Sequence, residues 1–225
     1  IRTETEEAIT FSTEADLAIA VPTLAHLLIT RDNVNYVEFT NELQAGTPVD
    51  VFKQVPEAGN AFYLGYNEPV GGNILVLTLS CDEKRGVGVD PNDPPLVWEY
   101  WDGAASDWLP LERKAEAIAW LEKDGTLALN KRGDLILHLP QSLAPTDVDL
   151  RPAHWLRCRV VEPRPDQPSY EASPRILTIA SSVMGGTVSA SHATPVEREL
   201  LGRGDGTPGR TFHLSNVPVL PRAPG

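Results

Sequence analysis

The sequence predicts an all-β protein, a β-sandwich of jelly-roll type, and three observations predict it. Twenty prolines and seventeen glycines punctuate the 225 residues. Between them lie short runs rich in Val, Ile, Leu, Thr and aromatics, the rhythm of strands joined by turns. Within the best runs apolar residues recur at every second position, the period of a strand with one buried face. The sandwich is expected over residues 61–180. Residues 1–60 read as an N-terminal β extension or connecting element, and residues 181–225 as a C-terminal connecting segment.

Taken in order, the start is acidic through Glu4, Glu6, Glu7, Glu14 and Asp16. Ala18–Val21 and Leu27–Thr30 then read as two short strands broken at Pro22. Asn73–Cys81 places Leu75, Leu77, Leu79 and Cys81 on one face, with Ile74, Val76, Thr78 and Ser80 on the other. Val97–Trp101, Leu135–Leu139 and Arg175–Ile179 are further strands. Trp155–Val160 alternates most cleanly, with Leu156, Cys158 and Val160 inward and Arg157 and Arg159 outward. Asp124-Gly125 and Arg132-Gly133-Asp134 are turn signals. Two places are open to a helix. Lys114–Lys123 is rich in helix formers, with an edge strand through Ile118 and Trp120 as the alternative. Thr194-Pro195-Val196-Glu197 fits a capping box leading into a short helix over 195–201, closed by Gly202.

The net charge of −12 argues against a nucleic-acid surface, which needs clustered Lys and Arg to neutralise phosphates. No apolar run approaches the roughly 18–20 residues of a membrane helix. The only methionine is Met184 and the chain begins at Ile1, so an interior segment of a longer polypeptide is expected. Cys81 and Cys158 form neither a disulfide framework nor a CxxC pair. Both fall at inward positions and read as buried thiols, with one bridge left open if their strands are neighbours.

No nucleophile–base pattern stands out, and His26, His138, His154, His192 and His213 are scattered, so no catalytic residue, cofactor or metal ligand is assigned and no enzyme is expected. In the loop 82–95, Asp82, Glu83, Asp90 and Asp93 offer the oxygen atoms calcium prefers, but without EF-hand spacing. Trp98, Tyr100, Trp101 and Trp108 gather around Asp102-Gly103. An exposed platform near Trp101 and Trp108 would suit sugar stacking, whereas core packing is the plainer reading. Arg203-Gly204-Asp205 spells a receptor-binding tripeptide inside a Gly-rich turn. The proline-rich stretch 162–168 reads as a surface loop between strands, with polyproline II binding as the alternative.

Four stretches, in order and spanning nearly the whole chain, resemble baseplate assembly proteins of contractile phage tails and related bacterial injection systems. They are Arg2–Thr13, Pro94–Gly103, His154–Arg159 and Leu200–Phe212. The resemblance implies an interior segment of a large wedge protein, assembled in the cytoplasm into a phage-tail-like particle. Its expected partners are other baseplate subunits and the rest of its own parent chain, with no nucleic acid and no membrane insertion. The expected function is structural, through subunit–subunit interfaces. The candidate interface residues are Trp101, Trp108, Arg157, Arg159, Arg203 and Asp205, and the candidate loops are 82–95, 162–169 and 202–210. The alternative is a carbohydrate- or receptor-binding β-sandwich module.

Overall fold

The computed structural model describes residues 11–13, 16–83, 88–113, 117, 119–192, 196, 198–204, 206–209 and 211–215. Its elements are β1 (Ser12–Thr13), β2 (Leu24–Thr30), β3 (Tyr36–Glu38), the helix α1 (Thr40–Gln44), β4 (Val49–Asp50), β5 (Ala61–Tyr66), β6 (Asn73–Cys81) and β7 (Leu96–Asp102). There follow β8 (Asp107–Pro110), β9 (Trp120–Asp124), β10 (Gly133–His138), β11 (Pro145–Val148), β12 (Arg151–Val160), β13 (Arg175–Gly186) and β14 (Ala190–Ser191). The chain divides into two compact units, residues 17–187 and the two flanking ends together.

The larger unit is an all-β sandwich. One sheet runs β4-β13-β6-β10-β9 and the other β3-β2-β5-β12-β7-β8, with β11 added to β12. Numbered one to eight, β4, β5, β6, β7, β8, β10, β12 and β13 give the orders 1-8-3-6 and 2-7-4-5, the double Greek key of a jelly roll. The pairings between these named strands are antiparallel, and Trp120 at the start of β9 also makes an isolated parallel bridge to Glu112. The β9 strand widens the first sheet, and β2 and β3 widen the second.

Alternation decides the core. Along β6, buried and half-buried residues alternate without a break, which sends Leu75, Leu77, Leu79 and Cys81 inward. They meet Phe62, Leu64, Trp98, Leu156 and Cys158 of the opposite sheet in one continuous core. Each fully buried Leu or Phe contributes about 1.5–3 kcal/mol relative to exposure. Cys81 and Cys158 are both buried free thiols on strands of different sheets. Burial pushes the Cys81 thiol up to about 12 and that of Cys158 well above its usual value, so both pack as small apolar groups.

Several expectations change. Ala18–Val21 forms no strand: Val21 is exposed and the Ala20 amide donates to the Asn73 side chain at 3.1 Å instead of to a ladder. Within residues 1–60, β2 is hydrogen-bonded along β5 and Leu27 and Ile29 enter the main core, and the larger unit begins at residue 17. In 114–123 the strand alternative holds from Trp120 onward, paired to β10; Ile118 lies outside the described residues. The helix expected at 195–201 is not formed at Val196 or at residues 198–201, where Arg198 has φ +60°; the capping residues Thr194, Pro195 and Glu197 lie outside the described residues. The one short helix described is α1, which links the edge of one sheet to the edge of the other.

In the smaller unit β1 and β14 pair antiparallel, Ser12 opposite Ser191, and the rings of Phe11 and His192 lie 5.9 Å apart. There the Ser215 amide donates to Glu199 at 2.7 Å.

Candidate functional site

The outward face of the larger sheet carries the most distinctive chemistry. Strands β12 and β7 run side by side with Arg157 opposite Glu99 and Cys158 opposite Trp98. Directly opposed residues share a face, so Arg157, Arg159, Glu99 and Trp101 point away from the core that takes Cys158, Trp98 and Tyr100. Next to them β8 brings Trp108 opposite Trp101, and β5 brings Tyr63 opposite Arg157.

Glu99 is the centre of this arrangement. Its carboxylate accepts from Arg157 Nε at 2.5 Å, from Arg159 Nε at 3.1 Å and from Arg159 Nη2 at 2.9 Å. Glu99 is only 5% exposed. Burial pushes its carboxyl up, but the hydrogen bonds and charges of Arg159 and Arg157 outweigh that and hold it below its ordinary value. In return the bond to Glu99 raises Arg159. Two guanidiniums against one carboxylate leave the cluster a net +1, in a chain of net charge −12.

An aromatic layer surrounds the ions. The Arg157 guanidinium sits 4.3 Å above the Trp108 ring, a cation–π contact. Trp108 meets Trp101 edge to face at 5.7 Å and 76°, and Tyr63 at 5.5 Å and 78°. Tyr36 meets Tyr63 at 5.5 Å; burial, then its hydrogen bond to Tyr63, pushes the Tyr36 phenol up to about 12, so it stays neutral.

Beside this open patch the β11–β12 hairpin folds over the same face. Val148 and Ala153 of the hairpin, with Leu28, Ala61, Tyr63 and Trp155, form a second small core. The Trp155 indole Nε1 donates to the carbonyls of Thr146 and Arg151 at 3.0 and 3.3 Å, which ties the flap down. At its edge Glu38 binds His26 Nδ1 at 2.7 Å and Arg151 Nε at 3.0 Å. His138, by contrast, pairs with Glu122 at 2.7 Å on the outer face of the other sheet.

Of the residues singled out from the sequence, Arg157, Arg159, Trp101 and Trp108 come together on this face. Both arginines, candidates for an ion pair with another subunit or for ordinary surface charge, share a carboxylate of their own chain. Trp101 and Trp108 are half-buried and mutually tilted, so neither a flat row of exposed rings nor a wholly buried pair describes them. Arg203 is exposed in the smaller unit, and Asp205 lies outside the described residues. The loops 82–95 and 162–169 meet through an Arg164–Asp93 ion pair and a Gln167 Nε2 bond to the Asp93 carbonyl at 2.7 Å. Asp93 is thereby engaged, and Asp90 accepts from the Asn92 amide at 2.9 Å. Among the described residues no group of three or more His, Cys, Asp or Glu is gathered as metal ligands, and no helix is long and apolar enough to cross a membrane.

Sequence reasoning missed Glu99, Tyr63 and Tyr36. For Glu99 the signal was present: it is an acidic residue flanked on both sides by apolar and aromatic ones, Leu96-Val97-Trp98 before it and Tyr100-Trp101 after it. A buried carboxylate there demands a cation. No family model matches this chain, and no curated protein matches it either.

Proposed function

We propose that this chain is a structural component of a phage-tail-like contractile baseplate, acting through subunit–subunit interfaces rather than by catalysis. One observation supports the reading above the others. Two of the four stretches that resemble baseplate assembly proteins, Pro94–Gly103 and His154–Arg159, coincide with the adjacent strands β7 and β12 that build the Arg157–Glu99–Arg159 face. Half-buried Trp and Arg on a rigid sheet are the residue types that anchor protein interfaces. Arg157 is fixed by Glu99 and Trp108, so little of its rotamer entropy remains to be lost on docking. The partners in this reading are other baseplate subunits and the remainder of the parent chain, and the protein's place is a phage-tail-like particle assembled in the cytoplasm.

The second reading, a carbohydrate-binding module, draws on the same indoles. Their 76° tilt and the guanidinium on Trp108 favour a protein partner over a planar sugar face. Co-expression with the products of neighbouring genes tests both. Co-purification with a tail tube, sheath or spike protein, weakened by Trp108→Ala or Arg159→Ala, is the expected result. Failure to bind any neighbour, together with glycan binding lost in Trp101→Ala, would replace the first reading by the second.

A further inference from the structure

We propose that this chain self-associates head to tail, Leu150 at the tip of the β11–β12 hairpin of one copy seating in the pocket formed by Ile29, Val37 and Phe39 of the next. The proposal does not depend on the baseplate reading, since it rests on different residues.

The knob is visible in the backbone. Val148 and Arg151 are paired across a two-residue turn, Asp149-Leu150, with φ +50° and +63°. Such a turn needs positive φ at both positions and favours Asn-Gly or Asp-Gly. A leucine there is strained, because its Cβ crowds the carbonyl oxygen. Leu150 is also 94% exposed. The contrast is Leu127-Ala128-Leu129, which share the left-handed region, but there Ala128 and Leu129 are buried and packing offsets the strain. Among the described residues nothing packs on Leu150 to offset it. An exposed apolar side chain held in a strained conformation points to a contact made outside the fold.

The socket lies in the β2–β3 hairpin. A pocket of about 190 Å³ is lined by Ile29, Arg31, Asp32, Asn35, Val37 and Phe39. It is smaller than the roughly 300–1,000 Å³ of ordinary ligand pockets and suits a single apolar side chain. Val37, opposite Ile29 in the ladder, is 52% exposed, so its apolar surface is there to be covered.

Charge matches as well. Beside the knob Asp147 is exposed and has no partner among the described residues. At the socket Arg31 is exposed and donates to the carbonyls of Phe52 and Asp50 at 3.3 and 3.4 Å, with no carboxylate partner among the described residues. Asp32 at the same rim is already engaged by the amides of Val34 and Asn35 at 3.0 and 2.8 Å.

Knob and socket occupy opposite faces of one sheet edge. Leu28 and Glu38 oppose each other on the outward face, where Glu38 holds Arg151 at the root of the hairpin. Ile29 and Val37 oppose each other on the other face. The contact therefore joins two different surfaces, which is a heterologous interface and builds a ring or a filament.

Sedimentation velocity on the whole chain, over a concentration series, is the test. The wild type should associate with concentration. Leu150→Gly creates the Asp-Gly turn the backbone prefers, so it should melt higher yet bind itself roughly tenfold or more weakly, the scale of losing one seated anchor. Val37→Glu, checked for folding by circular dichroism, should also be monomeric. A mixture of the two variants retains one knob and one socket, and should give a dimer and nothing larger. A wild type that is monomeric at its highest soluble concentration, a Leu150→Gly chain that associates as before, or a mixture that stays monomeric would each overturn the proposal.

Discussion

The two sheets share one core but differ on their outer faces. Along β6 every second residue is half-buried, so its sheet has an inside and a solvent-washed outside. Along β5 all six residues are buried. The difference is a second layer: the β11–β12 hairpin covers Leu28, Ala61, Tyr63 and Trp155, and the Glu99 ion cluster fills the space beside it. A strand buried on both faces has no polar alternation to read, which is why β5 is not among the strands that alternation picks out.

Substitutions can break this comparison. Trp155→Ala removes the largest side chain of the second layer and should cost about 3–5 kcal/mol in urea unfolding. Trp120→Ala on the other sheet, where the ring is half-buried and stacked on His138 at 4.3 Å, should cost about 1 kcal/mol. Equal losses would mean that the two faces are energetically alike.

Glu99→Gln should cost about 2–3 kcal/mol at neutral pH, because it strips the charge from a buried carboxylate that serves two guanidiniums. The pH dependence sharpens this. The folded Glu99 carboxyl lies below its ordinary 4.5, so its contribution is fully present above that value and is lost as pH falls through the folded value. The gap between wild type and variant should therefore narrow only below about 4.5 in acid titrations followed by tryptophan fluorescence. A gap that stays constant into strong acid would show that Glu99 does not act through its charge.

Gly65→Ala is a smaller probe. Its φ permits alanine, yet a Cβ there would lie 2.7 Å from the Trp155 ring, which is itself fully buried. A loss of about 1–3 kcal/mol is expected in place of the usual small gain from replacing glycine. Smallest of all, Arg164→Ala breaks an exposed ion pair with Asp93 and should change stability by less than about 0.5 kcal/mol. A larger loss would show that the bond between the two loops is structural.

The sequence by itself determined the fold class and much of the inner core. Leu75, Leu77, Leu79 and Cys81, and Leu156, Cys158 and Val160, were assigned inward from their alternation, and they are buried there. Period two follows from the pleat, so it survives any tertiary context. The outward direction of Arg157 and Arg159 followed from the same rule. What the outward residues would meet did not. Glu99 reaches its guanidiniums across 58 and 60 residues of chain, and Trp155 is covered by a hairpin whose fold-over has no local signal. The helix read from a capping box near residue 195 failed for the complementary reason, since a cap stabilises a helix only where an apolar face has something to pack on. Alternation says which way a side chain points. Only the register and layering of distant strands decide whether it finds water, an ion partner or a second core.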